Sequence, residues 1–250
     1  MATPLEQIIA LSRELGREDR KLAILGEGNT STRVSNETFL IKASGTSLST
    51  MRGEDVTECR FAPLLELLSQ ESASDEQIGA TLLASRVDSS AKRPSTEAVF
   101  HAYLLSLAGI SWVAHTHPIA VNGIVCSPRA KDFATRRLFP DEIVCCSQQS
   151  VLVPYVDPGV PLARLIRKGV EQHQAKLDEL PRVLLLVNHG LIAPATSAAG
   201  AMAATLMAVK AAEIFNLAAI HGGPVFLDST GVERIESRND EHYRRAQLGV

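Results

Sequence analysis

Two histidines stand two residues apart in the segment Ser111-Trp-Val-Ala-His-Thr-His-Pro118, at His115 and His117. In an extended chain, residues i and i+2 point to the same side of the pleat, so both imidazoles can face one ion. Pro118 disfavours helical geometry at the residue before it and therefore favours the extended interpretation. The segment predicts a strand that ends in a pair of metal ligands.

A third histidine, His189, has a similar context, because it follows the apolar run 183–187 and precedes Gly190. Ends of strands are where α/β folds often place their chemistry. Three neutral imidazoles around one ion, with a further position open to water or substrate, are typical of a catalytic metal site. The alternative is an ordinary hydrogen-bonded or surface histidine at each position. The remaining histidines stand singly in helical or tail contexts: His101, His173, His221 and His242.

The segment Pro94-Ser95-Thr96-Glu97 is typical of a helix start, with hydroxyl residues at the cap and an acid in the first turn. The simplest role for Glu97 is to complement the helix dipole, and the alternative is proton transfer. The same helix start offers backbone N–H groups and the hydroxyls of Ser95 and Thr96 to a phosphate or carboxylate.

Two glycine-containing loops, 26–31 and 43–46, have chemistry that also suits an anion. Their small hydroxyl residues and glycines can bring backbone donors close to anionic oxygens, although each loop alone is also an ordinary turn. Lys42 could add a cation, or could be a solvated lysine at the end of an edge strand.

Helical and extended patterns alternate along the chain and predict a single α/β domain over residues 1–250. We expect extended segments over 39–42, 111–115 and 183–187. We expect helices over 5–15, 62–68, 76–85, from about 95, over 162–176 and over 198–220, the last ended by Gly222 and Gly223.

Composition favours a small-molecule partner in the cytoplasm. The 250 residues are 45% hydrophobic with a net charge of -3, and no basic cluster suggests binding to nucleic acid or an anionic membrane. We expect no export leader from the residues at the start of the chain, and the apolar run 198–209 is shorter than a bilayer span. Four cysteines without a C-x-x-C spacing indicate reduced thiols.

Taken in order, these residues resemble the class II aldolase/adducin family, which includes fuculose-phosphate and rhamnulose-phosphate aldolases and ribulose-phosphate 4-epimerases. The matching motifs span most of the chain: Gly28-Asn29, Ser44-Gly45, Ser95-Thr96-Glu97, His115-Thr-His117-Pro118 and Asn188-His189-Gly190. The fuller strings 26–31, 42–46 and 138–142 are similar to the aldolase portion of two-part rhamnulose-phosphate aldolase/dehydrogenase proteins.

The resemblance implies a three-layer fold, with a central, largely antiparallel sheet flanked by helices, assembled as a homotetramer. It implies that Glu97 is the acid/base and that Tyr243, the tyrosine of the C-terminal tail, is a candidate catalytic residue. By motif match, Zn²⁺ or another divalent ion would be bound by His115, His117 and His189. The substrate phosphate would be surrounded by Asn29, Ser44, Gly45, Ser95 and Thr96.

The function so implied is a lyase that cleaves a ketose phosphate by retro-aldol chemistry through a metal-stabilised enediolate. A sugar-phosphate epimerase or a keto-acid-phosphate decarboxylase would use the same site, and a non-catalytic adducin-like binding module is the third alternative. Lys42 and the loop Gly26-Glu-Gly-Asn29 depart from the small sugar-phosphate aldolases. The identity of the substrate therefore stays open.

Overall fold

A computed structural model describes residues 2–248, apart from the side chain of His242. The chain divides into two compact units, one formed by Met1–Thr116 with Val156–Lys168 and the other by His117–Tyr155 with Gly169–Val250. The single domain over 1–250 stays a prediction.

The first unit contains four strands that pair antiparallel in the order β3-β2-β1-β4. They are β1 (Asn29–Arg33), β2 (Thr38–Lys42), β3 (Val56–Arg60) and β4 (Trp112–Thr116). The extended segments expected over 39–42 and 111–115 are thus confirmed as β2 and β4. In register, Asn29 of β1 lies opposite His115 of β4.

Four helices of the first unit agree closely with the sequence pattern. They are α1 (Pro4–Leu15), α2 (Phe61–Ser69), α3 (Asp75–Ala84) and α4 (Ala98–Ser106). The first begins where it does because the Thr3 hydroxyl accepts the Glu6 N–H, while the Glu6 carboxylate accepts the Thr3 N–H. Ser74 and Gln77 form the same reciprocal cap at α3.

In the second unit the strand order is β7-β6-β5, with β5 parallel and β7 antiparallel to β6. The strands are β5 (Val151–Val153), β6 (Leu184–Leu186) and β7 (Gly190–Ala195). The remaining helices are α5 (Ile119–Val125), α6 (Ala130–Thr135), α7 (Pro140–Cys146), α8 (Val160–Leu177), α9 (Ala198–Ala218), α10 (Ser229–Glu236) and α11 (Asn239–Leu248). The residues of α8 are divided between the two units at Lys168.

The core of the second unit is built around α9. Its buried face consists mainly of small residues, which let α5 and α7 approach closely, and Phe215 closes the cluster. The continuous helical segment Ala198–His221 is long and apolar enough to span a bilayer by length and composition, unlike the shorter run expected from the sequence. A single helix of this kind in the described chain is weak evidence for a membrane span, because the core helix of a soluble protein passes the same test.

Most of the strand pairs within the units are antiparallel, and helices accompany the strands in each unit. The predicted α/β fold with a largely antiparallel sheet flanked by helices is therefore confirmed.

Candidate active site

His115 occupies a fully buried position in β4, next to the start of β1. The backbone approaches closely here: a β-carbon on Gly28 would lie 2.6 Å from the carbonyl oxygen of His115. Gly28 also has a φ of +65°, which glycine adopts without strain. The glycine before Asn29 is therefore needed to let β1 begin against His115.

Glu97 is held between this strand pair and the start of α4. Its Oε2 accepts a hydrogen bond from Asn29 Nδ2 at 2.6 Å and lies 3.5 Å from His115 Nε2. The side chain is buried, with 7% of the residue exposed. Asn29 and His115, which stand far apart in the sequence, thus meet at the carboxylate of Glu97.

The start of α4 corrects one sequence expectation. The helix begins at Ala98 with Glu97 itself at the N-cap position, and its side chain makes no capping hydrogen bond. The expected hydroxyl cap is wrong because Ser95 is used otherwise. Its Oγ accepts from Asn29 Nδ2 at 3.2 Å and from the Glu97 N–H at 3.3 Å.

His101, one turn after Glu97 on α4, is a site residue that the sequence analysis missed. Its Nδ1 lies 2.6 Å from Ser31 Oγ, and its Nε2 makes a short hydrogen bond with Asn29 Oδ1. Burial lowers the pKa of His101 well below its usual value, and the nearby His115 lowers it further. The i, i+4 spacing from Glu97 to His101 was the available signal, since it places both on one helix face.

Lys42, at the end of β2, is buried rather than solvated, with 2% of the residue exposed. Its Nζ donates to the carbonyl oxygens of Thr46 at 2.6 Å and Gly26 at 3.2 Å. Burial lowers the pKa of Lys42, while the charges of Glu97 and Asp55 oppose that shift. The ammonium group therefore ties together the two glycine loops that were expected to bind an anion.

Backbone hydrogen bonds bring the second of these loops beside the segment before α4. The Ser95 N–H donates to the carbonyl of Lys42 at 3.2 Å, and the Ser44 N–H donates to that of Arg93 at 2.9 Å. Of the expected phosphate ligands, Asn29 and Ser95 are buried. The others are exposed: Ser44, Gly45 and Thr96.

His117 and His189 lie together in the second unit, with ring centroids 4.9 Å apart. His117 directly follows β4, and His189 closes the tight hairpin between β6 and β7. In that hairpin Asn188 adopts a left-handed φ of +54°, and the His189 N–H donates to Leu186 at 3.1 Å. Asn122 Nδ2 donates to the His189 carbonyl at 3.1 Å, which fixes the hairpin against α5.

The three predicted ligands form a group that could hold a metal ion. One ring nitrogen each from His115, His117 and His189 lies within 4.8 Å of the others. Imidazole nitrogen is a preferred donor for Zn²⁺ and for other first-row divalent ions. The donor set therefore fits a divalent metal.

Tyr243 lies on α11 and is 68% exposed. The adjacent Arg244 pairs with Asp141 at 3.0 Å, so this part of α11 is tied to α7. The catalytic role expected for Tyr243 stays a prediction.

Residues 6–216 match the Class II Aldolase and Adducin N-terminal domain family. In sequence, the chain is 29% identical over 196 residues to the uncharacterized oxidoreductase YuxG of Bacillus subtilis (strain 168). That match covers 75% of this chain but 26% of YuxG, so the chain spans about a quarter of that protein's length.

Solved structures share the fold. The N-terminal class II aldolase domain of a conserved protein from Thermoplasma acidophilum is 24% identical, with a TM-score of 0.69 and coverage of 86% of this chain and 95% of that chain. An L-fuculose 1-phosphate aldolase is 18% identical, with a TM-score of 0.73 and coverage of 98% of both chains. The expected family resemblance is confirmed.

Proposed function

Because the chain belongs to the class II aldolase and adducin family, we propose that it is a metal-dependent aldolase that cleaves a ketose phosphate by retro-aldol chemistry. One observation carries this proposal: the buried Glu97 carboxylate, oriented by Asn29, lies 3.5 Å from Nε2 of His115, one of three histidines whose ring nitrogens lie within 4.8 Å of one another. A base beside an electrophilic centre is the arrangement that proton transfer next to a carbonyl requires.

His115, His117 and His189 would hold the metal, which we propose to be Zn²⁺ or another divalent ion. Such an ion would supply a positive charge that stabilises the negative charge developing on the carbonyl and hydroxyl oxygens of the substrate, as an enediolate requires.

Retro-aldol cleavage requires a hydroxyl group to lose its proton while the neighbouring C–C bond breaks. The hydroxyl carbon becomes the aldehyde carbonyl, and the electron pair of the broken bond passes into an enediolate. We assign both proton transfers to Glu97: its carboxylate would accept the hydroxyl proton and then deliver it to the enediolate carbon, which regenerates the carboxylate. Its Oε2 already accepts the Asn29 N–H, so the carboxylate is held in one orientation before substrate arrives.

The phosphate group would bind where the segments 42–44 and 93–95 run side by side. There the exposed Ser44, Gly45 and Thr96 offer hydroxyl and backbone donors, and Asn29 and Ser95 line the buried end. The neutral donors suit phosphate, with Lys42 as the nearby cation.

We further propose a homotetramer in the cytoplasm. In an assembly of this kind, Tyr243 would act from its exposed position on α11. All four cysteines are free thiols, which agrees with a reducing compartment.

The proposal is tested by incubating the zinc-loaded protein with a panel of ketose 1-phosphates and following release of dihydroxyacetone phosphate. We expect release from at least one sugar. An epimer, or carbon dioxide from a keto-acid phosphate, would instead identify the rival reactions on the same site. Absence of dihydroxyacetone phosphate with every sugar would refute the lyase.

Metal content separates the enzyme from the binding module. We expect close to one zinc per chain by mass spectrometry of the metal-loaded protein, and a large loss of zinc in His189→Ala. His221→Ala, which changes an exposed histidine of the same unit, is the matched control and should keep its zinc. A wild-type protein that stays metal-free at saturating zinc would favour a non-catalytic role.

A further inference from the structure

The orientation of the Asn29 side chain is fixed by its neighbours rather than by its shape. An amide group has a donor end and an acceptor end of nearly the same size, so only hydrogen bonding distinguishes the two orientations. In the carboxylate form that the proposed base role requires, Glu97 accepts hydrogen bonds and cannot donate them. Asn29 must therefore turn Nδ2 towards Glu97 Oε2, which places Oδ1 against His101 Nε2.

The same reasoning assigns the tautomer of His101. Because Asn29 Oδ1 only accepts, the His101 ring must carry its proton on Nε2. The other nitrogen, Nδ1, then accepts from the hydroxyl of Ser31 at 2.6 Å. The chain of donors runs in one direction, from Ser31 through His101 and Asn29 to Glu97.

Packing holds this ring in place as well. His101 is fully buried, and its ring stacks on Phe100 at a centroid distance of 4.5 Å. If its Nε2–H were removed, the buried Oδ1 of Asn29 would lose a partner in a region closed to water. The alternative amide orientation would then turn an oxygen towards the Glu97 carboxylate, where the two would repel each other.

We propose that His101 is a positioning residue, which fixes the amide of Asn29 and through it the carboxylate of Glu97. This inference rests on the acid/base role proposed above for Glu97. Glu97 at the N-cap of α4 and His101 within that helix would then both serve the site, and His101 would do so without touching the substrate.

Three substitutions separate hydrogen bonding from packing. His101→Phe keeps the size of the ring and removes both nitrogens, whereas His101→Gln can place an N–H close to the position of Nε2. His101→Asn reaches only as far as Nδ1. We expect kcat to fall roughly 10- to 100-fold in the Phe and Asn variants, with KM changed less than about 3-fold, and to recover largely in the Gln variant.

A double-mutant cycle tests whether the effect passes through Asn29. Once Asn29→Ala has removed the amide, adding His101→Phe should lower kcat by less than about 3-fold, because the intermediary is already gone. If the two losses multiply instead, His101 acts by another route and the inference is wrong. A Phe variant as active as Gln would overturn it equally, because packing alone would then suffice.

An experiment that does not depend on activity follows the side-chain NH₂ of Asn29 by ¹⁵N NMR, with the signal assigned by its loss in Asn29→Ala. We expect slow hydrogen exchange in the wild type and in His101→Gln, and at least 10-fold faster exchange in His101→Phe. Unchanged exchange in the Phe variant would overturn the inference. If no sugar phosphate is cleaved, the proposed function fails, while this measurement still decides the role of His101.

A matched control is His173→Phe, which alters another buried histidine, in the second unit. It should leave kcat and Asn29 exchange unchanged. Thermal unfolding of all variants identifies any that lose activity because they fail to fold.

Discussion

Two buried histidines, one in each unit, differ in how their ring nitrogens are used. In the first unit His101 has hydrogen-bond partners at both nitrogens, whereas in the second unit the Nε2 of His173 has none among the described residues. Burial lowers the pKa of both, in the case of His173 to about 4. Burial alone therefore makes a histidine neutral, and only its partners give it an orientation that another residue can use.

The difference extends to the two cores. Around His101 the first unit buries polar side chains that bond to one another, including Ser31, Asn29 and Glu97. The core of the second unit is apolar, and its buried Arg137 mainly donates to backbone carbonyls such as those of Ser147 and Cys146. These buried side chains of the first unit orient one another, while the buried Arg137 of the second unit mainly satisfies backbone carbonyls.

The largest expected effect concerns Glu97, whose carboxylate ends the series of hydrogen bonds that runs through His101 and Asn29. Glu97→Gln keeps the shape of the side chain but cannot take up a proton, so we expect kcat to fall roughly 10²- to 10⁴-fold. Zinc content should stay at the wild-type level, because Glu97 is not one of the three grouped histidines. Steady-state kinetics on the best ketose phosphate measures the change, and a loss below 10-fold would show that another group moves the proton.

The second largest effect concerns the close approach of Gly28 to the backbone of His115. Gly28→Ala places a β-carbon about 2.6 Å from the His115 carbonyl and forces alanine to a φ of +65°. We expect the free energy of unfolding to fall by about 3 kcal/mol, measured by urea denaturation. Gly109→Ala is the control, since its φ of +87° is also left-handed but nothing lies within 4 Å of the new carbon. Equal losses in both variants would mean that the close approach to His115 costs nothing.

A smaller effect should come from His173 in the second unit. Its folded-state pKa of about 4 lies below the usual value, so the unfolded chain binds more protons between pH 4 and 6.5. The stability linked to His173 is complete above pH 6.5 and is lost as the pH falls towards 4. His173→Gln removes this titration. Between pH 6.5 and pH 4 we expect the free energy of unfolding to decrease in both proteins, but by about 2 kcal/mol less in His173→Gln than in the wild type. Urea denaturation between pH 4 and 8 checks it, and parallel curves for the two proteins would contradict it.

The smallest effect concerns Lys42, which ties the two glycine loops. Lys42→Met keeps the length of the side chain and removes the donors to Gly26 and Thr46. We expect KM for the phosphorylated substrate to rise about 10-fold, equivalent to about 1.4 kcal/mol, with little change in kcat. Lys92→Met, which breaks an exposed pair with Asp55, is the control and should leave KM unchanged. A Lys42→Met enzyme with wild-type KM would show that the loops keep their form without the ammonium group.

Much of the site was predictable because it depends on local pattern. The i, i+2 spacing of His115 and His117 needs only a strand, and Pro118 ends that strand. The hairpin glycine after His189, the short loops and most helix bounds follow from the same local rules. Those local rules did not predict that Glu97 occupies the N-cap position of α4 rather than its first turn.

The sequence by itself thus indicated most of the residues from which we propose the site, and which of them share one face of a strand. The tertiary structure alone decided that Lys42 is buried, that both ring nitrogens of His101 meet polar partners, and that the Nε2 of His173 has none among the described residues. The physical reason is that burial and hydrogen-bond partners depend on segments far apart in the chain, such as β1, β4 and α4. Local periodicity describes each of these segments separately and contains no information about what it will face.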